Sequence, residues 1–336
     1  MPEPLPTPRP FLKWAGGKTQ LLPELARFLP PTPDGTYFEP FMGGAALFFY
    51  LKRERGWKKA SLSDTNAELV STFLAVRDCP EDLLEALREH HHLHNVVYRN
   101  SPDRRRAYFE AVRGLDRQPD WCPEVPADRE GRILKAARFI YLNRTCFNGL
   151  WRVNRQGHFN VPIGSYSTPA IYNPDLIREA SAELQGVELA WRPYEQVLRR
   201  SAPGDTVYLD PPYMPLSATS SFAAYSKQEF GPDQHRTLAA LYTLLALQGR
   251  RVMLSNSDTA FTRDPLALTD DTELQAILLR LGAEDTTPAA LKEAYRAFWK
   301  VSTVRATRRI NSVAERRGEI TEIIVHSEAS GKRETP

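Results

Sequence analysis

Hydrophobic positions along the chain switch between two periods, and the switches mark out its elements. Residues 36–39 are rich in β-forming side chains and run into Glu39-Pro40-Phe41-Met42-Gly43-Gly44; residues 45–55 then have a helical composition, with Leu47, Phe48 and Leu51 on one side. The pattern predicts a strand, a glycine turn and a helix. A second strand is expected over residues 60–63, ending at Asp64, with a helix from about Asn66 that carries Leu69, Phe73 and Val76 on one face. Two such units open a doubly wound α/β sheet.

From Pro80 to about Tyr172 the pattern becomes helical and amphipathic, broken by Pro-rich stretches such as residues 118–128, with no βα alternation. This reads as an insertion. The α/β pattern resumes with a strand at 206–209, a helix near 232–247, a strand at 251–255 and a late strand at 319–326. Between 264 and 300 lie two further helical stretches, the second with Thr287 as N-cap and Pro288 at its first position, expected to cover the sheet edge. The expected organisation is a first part of the sheet domain at 1–78, an inserted domain at 79–172, and the rest of the sheet domain at 173–330.

Composition narrows the class. The 336 residues are 42% hydrophobic and 25% charged, too apolar and too balanced for a disordered chain. No apolar run approaches the roughly 20 residues of a membrane helix. The first ten residues lack a secretory h-region, and three widely spaced cysteines (Cys79, Cys122, Cys146) suggest neither a disulfide framework nor a zinc site. A soluble cytoplasmic protein is the expectation. A net charge of +3 does not advertise a polyanionic partner, but it is an average over unlike regions. Residues 131–167 hold Arg132, Lys135, Arg138, Arg144, Arg152 and Arg155 with no acid, interleaved with Phe139, Tyr141, Phe147, Trp151, Phe159 and Tyr166. Basic side chains neutralise phosphates and an aromatic wedge fills a vacated base stack, so this stretch, with a second basic run at 300–317, is the expected DNA-facing surface.

The tetrad Asp210-Pro211-Pro212-Tyr213 follows the strand at 206–209, where ligands bind in open α/β sheets. A carboxylate and a proline-stiffened backbone carbonyl can both accept from an exocyclic amine, while a tyrosine stacks on a planar base. Those are the needs of an enzyme that alkylates an amino group on a nucleobase; the alternative is a Pro-rich turn with a surface acid. Gly43 and Gly44 serve either a close approach to a ligand or close helix packing, and Asp64 is placed for ribose hydroxyls. The segment Phe11-Leu12-Lys13-Trp14-Ala15-Gly16-Gly17-Lys18-Thr19 ends like a phosphate loop, but Leu12 stands where that pattern needs glycine. His90, His91, His92 and His94 suggest a metal, yet no Cys or acid cluster completes a set, and a solvated helix end is the reading adopted.

In this order, the blocks 11–18, 38–44 and 210–213 resemble the Dam family of DNA adenine N6-methyltransferases. Residues 141–166 are similar to that family's DNA-reading hairpin, while 211–225, 255–258 and 308–312 resemble its later blocks. The resemblance implies a Rossmann-like methyltransferase sheet with an inserted, mainly helical target-recognition domain carrying a β-hairpin. It implies S-adenosylmethionine held by Trp14, Ala15, Gly16, Gly17, Lys18, Glu39, Pro40, Phe41, Gly43, Gly44, Asp64 and Asp210. It implies methyl transfer to a flipped adenine, with Asp210 and the Pro211 carbonyl on the amine, Pro212 stiffening the turn and Tyr213 on the base. By matched position, Lys13 and Arg152 read guanines, Leu150, Pro162 and Tyr166 meet the central pairs, Phe147 and Asn148 insert, Arg144 clamps phosphate and Asn154 adds to the DNA contacts. The implied site is GATC in double-stranded DNA, with no metal and no direct protein partner beyond a possible cognate restriction endonuclease system. The readings set beside it are an RNA or protein-amide methyltransferase, and a DNA-binding protein without catalysis.

Overall fold

The computed structural model describes residues 10–14, 20–214, 230–307 and 319–327. Seven strands form one sheet: β1 (Tyr37–Glu39), β2 (Ala60–Asp64), β3 (Glu188–Trp191), β4 (Thr206–Leu209), β5 (Arg251–Ser257), β6 (Lys300–Thr307) and β7 (Glu319–His326). Their order is β3-β2-β1-β4-β5-β7-β6. Strands β1 to β5 run parallel, and β7 enters antiparallel between β5 and β6. The winding therefore reverses between β1 and β4, which opens a crevice at their carboxyl ends.

Side chains alternate between the two faces as a strand requires. Tyr37, Tyr208, Met253 and Ile324 join one core, whereas Phe38, Val207, Leu209, Val252, Leu254, Ile323 and Val325 join the other. The first core is covered by α1 (Leu22–Ala26), α2 (Ala46–Arg55) and α3 (Ala67–Asp78), the last capped by Asn66, whose side chain accepts from the Glu68 and Leu69 N–H groups.

The stretch after α3 is helical, as expected. It comprises α4 (Pro80–His91), a π-helical turn (His92–Val97), α5 (Pro102–Gly114) and α6 (Arg129–Thr145), and its apolar side chains Leu83, Phe109 and Phe139 enter the same core as α2 and α3. The similarity to a hairpin over 141–166 takes a different form here. Its first five residues finish α6, and the remainder forms two antiparallel arms, joined by the isolated pairs Cys146 to Ile163 and Val153 to Phe159 and by the N–H groups of Phe147, Asn160 and Gly164 donating to the carbonyls of Pro162, Arg152 and Thr145.

The chain then passes through α7 (Pro174–Leu184), β3 and α8 (Val197–Arg200) before α9 (Pro232–Leu247), α10 (Ala260–Arg263), α11 (Asp271–Leu281) and α12 (Pro288–Phe298). Thr287 caps α12 as expected, its side chain accepting from Ala290 N–H. The pair α11 and α12 does not cover a sheet edge. Leu274, Ile277, Leu278, Leu281, Leu291 and Tyr295 pack with Leu238, Leu241 and Leu245 of α9, adding a second helical layer over that face.

Of the histidine cluster, His92 is exposed as a solvated helix end would have it, but His90 and His94 are not solvated. His94 is buried with Nδ1 2.9 Å from the Tyr141 hydroxyl, and His90 Nδ1 lies 2.7 Å from that of Tyr108. Phenols on α5 and α6 thus supply the polar partners that water was expected to provide. Burial pushes both imidazoles down to about 4, against an ordinary value of 6.5. Between those limits the unfolded chain binds more protons than the folded one, so folding stability falls as pH drops from about 6.5 toward 4. Thermal melts over this window are expected to show a falling midpoint, with a weaker pH dependence in His94→Gln; an unchanged dependence would contradict the assignment for His94.

Candidate active site and nucleic-acid interface

The chemistry-bearing residues gather where the winding reverses. Residues 40–44 follow β1, and Asp210 follows its neighbour β4. Glu39 is buried and accepts from the Tyr37 hydroxyl at 2.9 Å. After Pro40 and Phe41, the Met42 N–H reaches Ser63 O at 2.9 Å, and the Gly43 N–H reaches Asp64 Oδ2 at 3.1 Å. The turn is left-handed at Gly43 (φ 47°) and again at Ala45 (φ 51°), a conformation that costs a side-chain-bearing residue. The other Asp64 oxygen accepts from Asn66 N–H at 2.9 Å. Burial pushes the Asp64 carboxyl up, and these N–H donors oppose that shift. A carboxylate offers about four acceptor positions, so Asp64 retains capacity for a ligand.

The Trp14 indole lies against this turn. A Cβ on Gly43 would fall 2.6 Å from Trp14 Nε1, and one on Gly44 3.1 Å from Trp14 Cβ. The glycine pair therefore admits a tryptophan from the N-terminal segment, a reason distinct from packing on a helix. Ala15, Gly16, Gly17, Lys18 and Thr19 lie outside the described residues, as do the blocks resembling the family at 215–225 and 308–312.

The loop after β4 is braced from β5 and β7. Pro211 is buried, while Asp210, Pro212 and Tyr213 are half-buried. The Tyr213 hydroxyl donates to Glu322 Oε2 at 3.0 Å, and the Ser257 hydroxyl donates to Met214 O at 2.8 Å. Met214 N–H points at Asn256 Oδ1, 3.4 Å away, and the Tyr208 and Ser255 hydroxyls meet at 2.9 Å. Burial and the charges of Asp210 and Glu322 push the Tyr213 phenol well above its ordinary value, which keeps it a donor. Glu322 was not singled out by the sequence, although an acid within the apolar strand Glu319–His326 was a usable signal.

The residues matched to DNA contacts cluster around the end of α6. Asn143 accepts from Lys13 N–H at 2.9 Å and donates to Lys13 O and Gly149 O, and the Lys13 ammonium stands 4.3 Å from the Tyr166 ring centre. Phe147 is 44% exposed, a large apolar side chain open to a partner. Asn148 beside it is left-handed (φ 55°), within a 3₁₀ turn over Phe147–Gly149. Leu150 is half-buried, Pro162 is exposed and its carbonyl accepts from Phe147 N–H. Arg152 is exposed, with Nε donating to Asn160 Oδ1 at 2.8 Å.

Two matched residues carry structural duties that their sequence position did not reveal. Asn154 Oδ1 accepts from the N–H groups of Gln156 and His158, which folds the tip of the loop. Arg144 is turned inward and donates to Phe11 O, and its burial lowers its basicity. Arg144 is half-buried, and this contact ties it to the N-terminal segment. The basic stretch at 131–167 is only partly a surface. Lys135 and Arg138 are 2% and 0% exposed, so acid-free sequence is not the same as a basic surface. Arg138 is paired with Glu68 and Asp116 from other segments, and the Lys135 ammonium donates to the Glu124 carbonyl. Phe139, Tyr141, Trp151 and Phe159 are likewise core residues, with Trp151 stacked on Phe139 at 4.0 Å.

A mixed sheet of this order, with an acid and a stiff proline turn at the carboxyl end of β4 and a glycine turn after the adjacent β1, defines an α/β protein of the doubly wound kind. The profile of the D12 class N6 adenine-specific DNA methyltransferases matches residues 14–274. The chain is similar to the type II methyltransferase M1.LlaDCHI of Lactococcus lactis subsp. cremoris, 35% identical over 319 residues that cover 94% of each chain. It is similar also to the type II methyltransferase M.MjaIII of Methanocaldococcus jannaschii, 37% identical over 254 residues, 74% of this chain and 84% of the relative. The DNA adenine methylase of Escherichia coli K12 is 31% identical over 256 residues, 76% of this chain and 83% of the relative. The chain belongs to the D12 class of N6 adenine-specific DNA methyltransferases.

Gly43→Ala and Gly56→Ala separate backbone strain from the Trp14 contact. Both glycines are left-handed, but only Gly43 faces Trp14; nothing lies within 4 Å of a Cβ at Gly56. In urea unfolding, Gly56→Ala is expected to lose about 1–2 kcal/mol, and Gly43→Ala clearly more; equal losses would contradict the packing of Trp14 on the turn.

Proposed function

We propose that this enzyme transfers a methyl group from S-adenosylmethionine to the N6 amine of an adenine flipped out of duplex DNA, at GATC. The single observation that carries the reading is the placement of Asp210 past β4, beside the turn that Asp64 and Trp14 hold after β1. A strained turn, a half-buried carboxylate with spare acceptor capacity and an indole laid over two glycines fit a cofactor that combines a ribose with an amino-acid chain. Trp14, the turn from Glu39 to Gly44, Asp64 and Asp210 would hold it, with Ala15, Gly16, Gly17 and Lys18 assigned by resemblance. When bound, it supplies an electrophilic methyl on a sulfonium.

The chain's own residues do the rest. The Asp210 carboxylate and the Pro211 carbonyl accept the two N–H bonds of the amine, which draws its lone pair out of the ring and toward the incoming carbon. Pro212 limits how far the turn can relax, so these acceptors are ordered before substrate arrives. Tyr213 offers a face for the base while its hydroxyl is retained by Glu322. The proton of the methylated nitrogen leaves to Asp210 or to water.

Residues 79–172 are proposed as the target-recognition region. Exposed Phe147, on the strained turn with Asn148, is placed to fill the space left by the flipped base, with Leu150, Pro162 and Tyr166 along the central pairs. Lys13 and Arg152 are assigned to guanine edges. Arg144 acts in this scheme by tethering the Phe11–Trp14 segment, with Asn154 shaping the loop tip. The names of the two type II relatives support a place beside a restriction endonuclease.

Methyl transfer from labelled cofactor to duplexes containing GATC, GATG or neither is the test. Label is expected in the GATC duplex alone; labelling of RNA or protein with no duplex product would overturn the proposal. Asp210→Ala is expected to abolish turnover and leave duplex binding largely intact. Arg152→Ala should lose about 1–3 kcal/mol of discrimination at one guanine; equal loss on cognate and altered duplexes would remove the base-reading role.

A further inference from the structure

The best-buried charge in the described structure belongs to none of the assigned roles. Arg138, on α6, is 0% exposed, and a guanidinium survives such burial only when its donors are matched. It reaches Glu68 in the first turn of α3 and Asp116, which lies 2.7 Å away just past α5. Nε and Nη2 also donate to the carbonyls of Val112 and Arg113, and the guanidinium sits 5.0 Å from the centre of the Trp121 ring.

Asp116 passes this fixed position on to the loop that carries the exposed arginine. Its Oδ2, already bound by Arg138, accepts from Phe159 N–H at 2.7 Å, and Oδ1 takes Arg117. Arg117 in turn donates to Phe159 O at 2.8 Å, so both backbone polar groups of Phe159 are held by one acid–base pair. The next residue, Asn160, then meets Arg152 twice. Its N–H donates to Arg152 O at 3.0 Å, and its Oδ1 accepts from Arg152 Nε at 2.8 Å. With Nε engaged, the plane of the Arg152 guanidinium is set and its terminal nitrogens remain for a partner.

We propose that Asp116, locked by Arg138, is a positioning residue for target discrimination: it fixes Phe159 and Asn160 and thereby the plane in which Arg152 meets a base edge. The inference rests on the DNA-reading role proposed for Arg152. An apolar trio would fill the same volume; what a charged set adds is a single allowed geometry for the loop, which bidentate recognition needs.

The full-length enzyme tests this with Asp116→Asn, Asn160→Ala, Arg152→Ala and the double variant Asp116→Asn/Arg152→Ala, each assayed on the cognate duplex and on duplexes altered at one base pair. Asn160→Ala breaks the same chain of contacts without touching buried charge. Both Asp116→Asn and Asn160→Ala are expected to lose about tenfold in the ratio of cognate to altered kcat/KM at the base pair sensitive to Arg152, with KM for S-adenosylmethionine unchanged. The double variant should discriminate no worse than Arg152→Ala alone. A uniform fall in rate on all duplexes with discrimination kept, or additive losses in the double variant, would overturn the proposal. Wild-type enzyme that methylates no duplex would instead overturn the DNA-reading function, and this inference with it.

Discussion

Everything at the candidate active site follows from one constraint, the reversal of winding between β1 and β4. Adjacent parallel strands whose connections leave in opposite directions cannot close over their own carboxyl ends, so a crevice is left there. The glycine turn after β1 and the acid after β4 face that gap because the topology leaves them no other exit. Asp64, at the end of β2 on the far side of β1, closes the arrangement by accepting from Gly43 N–H. The sheet supplies placement, and the loops need only short polar contacts to hold their shape.

The loop after β4 illustrates how that shape is kept. Prolines restrict the backbone, but its depth is set by β5 and β7, through Ser257 and Asn256 on Met214 and Glu322 on Tyr213. An antiparallel β7 inserted beside β5 is what brings Glu322 level with Ser257. A strand at the end of the chain thereby acts on a loop more than a hundred residues earlier. Strain is likewise local: among the described residues, the two non-glycine positions with positive φ are Ala45, in the turn held by Asp64, and Asn148, beside the exposed Phe147. Such conformations persist where surrounding structure over-determines them.

Much of this was legible in the chain because local signals and tertiary roles coincide. Strand 206–209 and helix 232–247 are recovered with their boundaries, and the later helix starts after Thr287 as its cap predicts, since apolar runs, glycines, prolines and caps act over a few residues. Strand β3 was missed because ELAW is short and half-exposed at the sheet edge, and β6 because its Lys300 and Arg305 drew attention to charge over the alternation of Val301, Thr303 and Thr307. Sequence and structure differ most over the acid-free stretch at 131–167. Linear charge counting ignores helix faces, and α6 turns Lys135 and Arg138 inward, Arg138 to acids contributed by α3 and the turn just past α5 and Lys135 to the Glu124 carbonyl. The histidines misled for the same reason: the phenols that satisfy them come from α5 and α6, beyond the reach of local pattern.

Methyl transfer to an exocyclic amine of adenine in duplex DNA is the reaction proposed at the Asp210 loop. Its most direct test is mass spectrometry of nucleosides from duplex DNA after incubation with the enzyme and S-adenosylmethionine. N6-methyladenine is the expected product, present with the wild-type chain and absent with Asp210→Ala; methylated cytosine, or N6-methyladenine at an undiminished level with Asp210→Ala, would contradict that role.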